Sequence, residues 1–375
     1  MSIRSMKSRE ATVAFAVLFA LAGASISAAD TFLQTNLTSD VPGLAYITDP
    51  NLKNPWGFSY SATSPFWISN QASGTSTLYD GQGNRSSLIV TIPGSATPPS
   101  GPTGQVFNST AGFLLPGNSP AHFIFDTLGG TIDGWNAGGT AVQMVSTPGA
   151  VYTGLAMATV GANTYLYAAD STGQIRVFNS SFASTTLAGN FTDPNAITGY
   201  VPFNIQLIGN NLYVTYARLT PQGGALTGGY VDEFDTSGNF LLRLATGGAL
   251  YAPWGVTLAP AGFGSYGNDL LVGNFGDGEI LAYNPTTGTY LGTLDGTNGQ
   301  PIVNDNLWAI GFRTGGTNVN TNALYFTAGI DNQADGLFGE LTLTPEPSTA
   351  VAMLIGLGGL GMLAYRRRRK PVPPQ

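Results

Sequence analysis

The sequence predicts an all-β protein: a six-bladed β-propeller at residues 30–344, preceded by a signal peptide and followed by a single C-terminal hydrophobic helix. Short runs rich in Val, Ile, Tyr, Phe and Thr alternate with Gly, Asn and Asp turns, and no segment shows a long 3.6-residue apolar period. A strand motif also recurs about every 50 residues. Gly and Pro, 51 and 23 of 375 residues, supply the turns that such a fold needs.

The recurring motif sets the predicted number of blades. Its copies are centred on Trp56, Gly154, Phe203, Trp254 and Trp308. The last four lie 49, 51 and 54 residues apart, whereas the first gap is 98 residues, which predicts a further unit near residues 122–125. Ring closure is predicted to pair residues 31–37 with residues 337–343. A pair of β-sandwiches is the alternative architecture.

Residues 1–29 are predicted to be a secretory signal peptide. A basic start precedes the uncharged apolar residues 11–24, and Ala29 ends a small-residue cleavage site before Asp30. The apolar run is short for a membrane-spanning helix. An uncleaved N-terminal anchor is the alternative.

Residues 345–375 have three parts: a Pro-Glu-Pro motif (345–348), a hydrophobic helix (349–365) and a basic tail (366–370). This order resembles a PEP-CTERM sorting signal. The resemblance implies processing near the motif by an exosortase-like enzyme, and the basic tail is expected to stay cytoplasmic. The predicted sorting residues are Pro345, Glu346, Pro347, Arg366, Arg367, Arg368 and Arg369. A plain membrane anchor is the alternative.

The body resembles an uncharacterised family of exported bacterial proteins with β-propeller-like bodies and Asn-Pro-Trp-Gly repeats, many of which carry PEP-CTERM tails. The matching blocks include residues 37–45, 54–57, 130–136, 202–206, 212–216, 252–278, 324–329 and 336–339. The resemblance implies an NHL-like propeller but no reaction. The chain departs from the family at Leu128, where an acidic residue is expected, and at Gln333-Ala334-Asp335, where an acidic residue and a His are expected. If those positions line a site, the site is altered here.

Composition excludes several kinds of catalytic site. The chain has no Cys, which excludes a disulfide scaffold, thiol catalysis and a cysteine zinc site. Its one His, His122, lacks a Gly-x-Ser-x-Gly partner motif and is interpreted as a structural or surface residue. No phosphate-binding Gly-Lys-Ser/Thr motif is present in the sequence.

The Asp and Asn turns are candidate cation sites, because Ca²⁺ prefers carboxylate and carbonyl oxygens. The candidate metal ligands are Asn274, Asp277, Glu279, Asp170 and Asp133. A second cluster comprises Asp331, Asn332 and Asp335. None follows the EF-hand order, and Asx turns use the same residues for geometry alone.

The Trp residues that recur at one place in the repeat are predicted to pack in the core rather than to stack on glycans. They are Trp56, Trp254 and Trp308. Trp135 lies in a turn-like Gly-Trp-Asn setting and is a better candidate for exposure.

The leading functional prediction is a non-catalytic, exported binding or structural module of the cell envelope or exopolysaccharide matrix. The alternative is a metal-dependent hydrolase or lyase of the lactonase-like propeller kind, with Asp133, Asp170, Asp277 and Glu279 in the central channel. Carboxylates that converge in the channel would favour the enzyme, and a channel filled by apolar side chains would not.

The predicted partners are the export machinery, an exosortase-like enzyme and envelope or exopolysaccharide components. We expect the chain to be anchored transiently in the inner membrane and then to become periplasmic, surface-bound or extracellular. Without its two ends the chain has 6 basic and 19 acidic residues, so it should repel nucleic acid.

Overall fold

The computed structural model of the chain describes residues 30–95, 100–220 and 224–344. These residues form six sheets arranged as the blades of a β-propeller, as the sequence predicted. The predicted signal peptide (1–29) and sorting signal (345–375) lie outside the described residues.

The strands are numbered in chain order, and each of the first five blades is an antiparallel meander of four strands that runs from the axis outwards. Two strands precede the first blade: β1 (Thr31–Ser39) and β2 (Ile47–Thr48). Blade 1 contains β3 (Pro55–Ser59), β4 (Phe66–Asn70), β5 (Thr75–Tyr79) and β6 (Arg85–Thr91). Blade 2 contains β7 (Pro102–Phe107), β8 (Phe123–Thr127), β9 (Thr131–Trp135) and β10 (Val142–Ser146). Blade 3 contains β11 (Tyr152–Val160), β12 (Asn163–Asp170), β13 (Gln174–Asn179) and β14 (Ser184–Thr185).

The second half of the chain repeats this plan. Blade 4 contains β15 (Val201–Ile208), β16 (Asn211–Leu219), β17 (Ala225–Asp235) and β18 (Phe240–Thr246). Blade 5 contains β19 (Pro253–Leu258), β20 (Leu270–Asn274), β21 (Ile280–Tyr283) and β22 (Tyr290–Thr293), and the short β23 (Asp295–Gly296) pairs with β1. Blade 6 contains β24 (Leu307–Phe312), β25 (Leu324–Ala328) and β26 (Leu337–Leu343). The helical segments are the 3₁₀ turns Pro93–Ser95 and Gly264–Tyr266 and the single turn α1 (Ile330–Gln333).

The N-terminal strand closes the ring by forming the outer strand of blade 6. Strand β1 runs antiparallel to β26, with Phe32 opposite Leu343 and Ser39 opposite Leu337. The Ser39 hydroxyl also donates to the carbonyl of Gly336 at 2.7 Å. The closure predicted from the sequence is confirmed.

Blade 2 differs in one detail from the sequence-based expectation. Residues 122–125 do belong to this blade, but they lie at and within its second strand, β8. The marker position on the inner strand is instead occupied by Thr103 and Gly104. Thr103 has no ring, so this copy lacks the aromatic residue that marks blades 1, 4, 5 and 6.

Apolar side chains on both faces of each sheet pack against the neighbouring blades. Between blades 3 and 4, for example, Ala156 and Tyr167 share one buried cluster with Ile205 and Val214. Both faces of each sheet are therefore largely covered by neighbouring blades. This burial explains how a chain with 43% hydrophobic and 9% charged residues forms a folded domain.

Glycine recurs on the inner strands because adjacent blades approach backbone to backbone around the axis. A Cβ atom on Gly104 would lie 2.2 Å from the backbone nitrogen of Leu155, and one on Gly154 would lie 2.1 Å from Oδ1 of Asn204. In blade 4 Asn204 takes the place of this glycine, and its Nδ2 donates to the carbonyl of Trp254 in blade 5 at 2.8 Å. The inner strands thus form a tight ring.

Candidate functional site

Aromatic rings from four blades fill the axis near the start of the inner strands. Trp56 stacks on Trp308 with 3.5 Å between ring centroids, and Phe203 and Trp254 approach Trp56 edge-on at 6.4 and 6.1 Å. The three Trp side chains are at most 4% exposed. The core-packing prediction for the recurring Trp residues is confirmed, and we call these four rings the aromatic layer.

The indole nitrogens of the aromatic layer are held differently from one another. Trp254 Nε1 donates to the carbonyl of Thr153 at 2.9 Å, so this side chain reaches across from blade 5 to blade 3. Trp308 Nε1 donates to Asn54 Oδ1 at 3.0 Å. Trp56 Nε1 is buried and has no hydrogen-bond partner among the described residues. Blades 2 and 3 contribute only Thr103 and Thr153 at this level, which leaves room for the larger rings.

Beyond the aromatic layer a cavity of about 590 Å³ opens at the C-terminal ends of the inner strands. We call this cavity the funnel. Its lining within the described part of the chain contains no Asp, Glu, Lys, Arg or His. The polar side chains that line it are Ser59, Tyr60, Gln105, Asn204, Gln206 and Thr257.

Most of these polar groups are engaged within the protein. Gln105 Nε2 donates to the carbonyl of Gly57 and to Ser69 Oγ, both at 3.0 Å, and the Tyr60 hydroxyl donates to the carbonyl of Phe312 at 2.5 Å. Gln206 is exposed, and its amide forms no hydrogen bond with any described residue. The funnel therefore offers a free amide among apolar and backbone groups.

The predicted metal ligands do not line the funnel. Asp133 lies on β9, Asp170 ends β12, and Asp277 and Glu279 lie between β20 and β21. No group of three or more His, Cys, Asp or Glu side chains is placed to hold a metal ion in the described ranges. These residues lie on or next to the second and third strands and not on the inner strands, and the metal site of the alternative function stays a prediction.

Hydrogen bonds and ion pairs within the protein already occupy the polar atoms of Asp170 and Asn274. Asp170 Oδ2 accepts from Arg176 Nε at 2.6 Å. Asn274 Oδ1 accepts from the backbone nitrogen of Tyr251 at 3.1 Å, and its Nδ2 donates to the carbonyl of Ala249 at 2.9 Å. Both ends of the Asn274 amide are thus used in shaping a turn.

Asp277 and Glu279 remain the nearest pair of carboxylates in the predicted set. Burial raises the pKa of both groups, and for Glu279 the negative charge of Asp277 raises the pKa further. Calcium binding at Asn274, Asp277 and Glu279 stays a prediction, which calorimetry with Ca²⁺ and a chelator control can test.

The second predicted cluster lies at the opposite end of the axis from the mouth of the funnel. Asp335 accepts from Lys53 Nζ at 2.9 Å, and Lys53 lowers the pKa of Asp335. Lys53 also pairs with the buried Asp40. Asp331 and Asn332 are exposed and both adopt φ of 52°, a left-handed conformation that Asp and Asn adopt more readily than other non-glycine residues.

The two departures from the family pattern lie on this same side of the aromatic layer, which we call the closed face. Leu128 packs against the aromatic layer. Asp335 lies beside α1, whose Gln333 Oε1 accepts from Asn54 Nδ2 at 3.2 Å. The sequence therefore differs from the family pattern at the closed face.

Asp126 is a buried carboxylate beside the inner strand β7 that the sequence analysis did not single out. It is fully buried on β8, and its Oδ1 accepts from Thr103 Oγ1 at 2.7 Å and from the backbone nitrogen of Gly104 at 2.6 Å. Burial raises the pKa of Asp126 to about 7. The signal available in the sequence was a lone carboxylate within the apolar strand Phe123–Thr127.

His122 and Trp135, two further residues that the sequence analysis singled out, lie on blade 2. His122 is exposed just before β8, in agreement with its interpretation as a surface residue. Trp135 is only half-buried, but its ring packs 4.6 Å from that of Trp67, and its Nε1 donates to the carbonyl of Gly138 at 2.8 Å. Trp135 is thus part of the packing of blades 1 and 2.

Solved propeller structures resemble this chain only distantly. The structure described as streptogramin B lyase aligns with a TM-score of 0.49 and 14% identity, over 84% of this chain and 98% of that one. A chain of a nidogen/laminin complex aligns with a TM-score of 0.44 and 14% identity, over 72% and 84% of the two chains. In the described residues no helix has the length and apolar character needed to cross a bilayer.

The C-terminal end matches the family model of the PEP-CTERM protein-sorting motif at residues 343–369. This match confirms the sorting signal that the sequence predicted. The chain is accordingly an exported, envelope-directed protein that exosortase-like machinery sorts.

The body matches two uncharacterised proteins of Acanthamoeba polyphaga mimivirus. Protein R648 is 32% identical over 325 residues, which cover 81% of this chain and 78% of that protein. Protein L690 is 30% identical over 321 residues, which cover 80% and 82%. The bacterial origin of the family and its Asn-Pro-Trp-Gly repeats stay predictions. This propeller chain, with its PEP-CTERM tail, belongs to the family of R648 and L690.

Proposed function

We propose that the protein is a non-catalytic binding module that is anchored briefly in the inner membrane by residues 349–365, processed near Pro345–Pro347, and retained in the envelope or the exopolysaccharide matrix. The sorting motif supports the first part of this route. The ligand is inferred from the funnel.

One observation carries the choice of ligand: the lining of the funnel has no charged side chain among the described residues, yet it presents the free amide of Gln206. Tyr60, Phe107 and Phe312 add ring surface to the same lining. Rings that cover an apolar face, combined with amides that pair with hydroxyl groups, suit an uncharged, hydroxyl-rich ligand. A neutral glycan chain has this chemistry, and it is a component of the predicted matrix.

The test is calorimetry on residues 30–344, which contain all six sheets. The probes are short neutral oligosaccharides of glucose, galactose, mannose and N-acetylglucosamine. Gln206→Ala is expected to weaken binding at least several-fold without a change in melting temperature. Gln143→Ala, which removes an exposed amide from the outer strand β10, is the matched control and should leave binding intact.

Two results would overturn the proposal. If none of the oligosaccharides binds, the funnel is not a glycan site. If the sugars are cleaved or eliminated in the presence of a divalent metal, the protein is an enzyme, as the alternative interpretation of the sequence holds.

A further inference from the structure

The C-terminal end of the described chain lies beside the loops that surround the mouth of the funnel. Thr344 donates its backbone N–H to the carbonyl of Thr31 at 2.9 Å. The next residue inward, Phe32, stacks on Phe263 at 4.8 Å, and Phe263 meets Phe312 of the funnel lining at 4.9 Å. Two successive ring contacts thus connect the exit point of the sorting signal to the funnel.

The strand directions place this exit on the open side of the propeller. The inner strand β24 ends at Phe312, which pairs with Leu324, and Leu324 pairs with Leu341 near the end of β26. Strand β26 therefore ends toward the face on which the funnel opens. We call this side the funnel face.

The chain between the propeller and the hydrophobic segment is short. Residues 345–348 separate Thr344 from the segment that begins at residue 349, and they span at most about 18 Å when fully extended. The closed face lies a strand's length further away, roughly 20 Å for a strand such as β26. While the hydrophobic segment is in a bilayer, the linker of residues 345–348 is too short for the closed face to reach the lipid headgroups.

The loops nearest the mouth of the funnel carry little charge. The loops between first and second strands are residues 60–65, 108–122, 161–162, 209–210, 259–269 and 313–323. Their only Asp, Glu, Lys or Arg residues are Asp269 and Arg313. Arg313 is 1% exposed and is held by the carbonyls of Ser61 and Ser64. Acidic residues of this face lie further from the axis: Asp80 and Asp235 are at the ends of third strands, and Asp30 and Asp295 lie near Tyr266. The ring of loops around the mouth of the funnel is therefore the part of this face that an anionic bilayer would repel least.

We infer that the funnel face is the membrane-apposed face of the tethered protein, so that the lipid surface covers the funnel until processing removes the tail. This inference rests on the membrane stage of the proposed function. Cleavage near Pro345–Pro347 then both frees the protein and opens its binding site to large ligands.

The absence of Cys from the sequence allows a direct test with single-cysteine variants. Ala162→Cys reports on the funnel face and Ala72→Cys on the closed face, and both residues are exposed Ala in turns between strands. Leu33→Cys reports on the outer edge of blade 6, where Leu33 is 52% exposed. The full chain is reconstituted into vesicles of phosphatidylethanolamine and phosphatidylglycerol and is treated with a polymer-linked maleimide.

We expect Ala162→Cys to react several-fold more slowly than Ala72→Cys in the vesicle-bound chain. The two rates should become equal in residues 30–344, which lack the tail. Equal rates in the bound chain, protection of Ala72→Cys, or protection of Leu33→Cys alone would overturn the inference. Glycan binding by the tail-free protein is measured without membranes, so a failure of the proposed ligand is distinguished from a failure of the orientation.

Discussion

The indole Nε1 of Trp308 donates to Oδ1 of Asn54 at 3.0 Å and so joins the last blade to the segment that leads into the first. Asn54 Nδ2 in turn donates to Gln71 Oε1 at 2.8 Å and to Gln333 Oε1 at 3.2 Å. Asn54 itself adopts φ of 45°, a conformation that Asn tolerates better than most residues. One buried amide thus links the closure of the ring to the aromatic layer.

Replacing Asn54 should destabilise the protein in two separable ways. Asn54→Ala removes the three hydrogen bonds. It also places at positive φ a residue that tolerates this conformation less well than Asn, and the two effects together should lower the free energy of unfolding by about 2–4 kcal/mol. Asn54→Gly removes the same bonds without the backbone strain and should cost about 1 kcal/mol less. Urea denaturation measures both. Wild-type stability in both variants would show that the amide does not hold the ring.

The two stacked Trp residues should respond differently to Phe. Both substitutions remove a similar ring volume from the aromatic layer, but only Trp308→Phe breaks a hydrogen bond, because Trp56 Nε1 donates to no described residue. Trp308→Phe should therefore lower the free energy of unfolding by about 1–3 kcal/mol more than Trp56→Phe does. Thermal and urea unfolding give the difference, and an equal loss in the two variants would contradict the assignment.

Gly154 should not accept a side chain. A Cβ atom there would lie 2.1 Å from Asn204 Oδ1 and 2.9 Å from its Cα, so Gly154→Ala must push two inner strands apart and should cost about 3 kcal/mol or more. Gly262→Ala is the matched control, since a Cβ atom there meets nothing within 4 Å, and it should change stability by no more than about 0.5 kcal/mol. If both variants are as stable as wild type, the inner strands are not closely packed.

The buried carboxylates should make the protein less stable as the pH rises. Burial raises the pKa of Asp126 to about 7 and that of Asp133 to about 6, above the ordinary value of 3.8. Between about pH 4 and pH 7 the folded state therefore binds more protons than the unfolded state, and the free energy of unfolding falls with increasing pH. Urea unfolding across this range should show the decline.

Asp126→Asn should reduce this decline, because it removes the carboxylate that must ionise in an apolar strand. At a pH above 7 we expect the variant to exceed wild type in free energy of unfolding by on the order of 2 kcal/mol, whereas below about pH 4 the advantage should vanish. Asp305→Asn, at an exposed position, controls for the loss of one negative charge. An unchanged pH profile in Asp126→Asn would show that Asp126 does not titrate in this range.

The sequence could predict the propeller because large residues with the same packing role recur once in several of the blades. Trp56, Trp254 and Trp308 recur where rings meet on the axis, so their spacing directly reports the blade spacing. Thr103 occupies the corresponding position in blade 2 but has no ring, so the aromatic pattern does not mark this blade. Strand periodicity likewise indicated the closure, because β1 and β26 are both half-apolar edges that need a partner.

The candidate site was harder to predict, because it is defined by side chains that the sequence leaves inconspicuous. The funnel is lined by uncharged residues such as Gln206 and Ser59, whose types carry no chemical motif. The conspicuous residues Asp170 and Asn274 turned out to bond their own turns. Which carboxylates converge depends on strand order around the ring, and that order is not encoded in local spacing.

The closing strand has a consequence for the order of events in export. The pairing of Phe32 with Leu343 joins residues 311 positions apart, a separation for which loop closure costs about 5 kcal/mol of chain entropy. A translocating chain cannot make this pair until Leu343 has emerged, and Pro345 follows two residues later. The ring can therefore close only when the chain has been exported as far as the sorting motif, and a chain that stops earlier presents an open ring with an unpaired strand at each end.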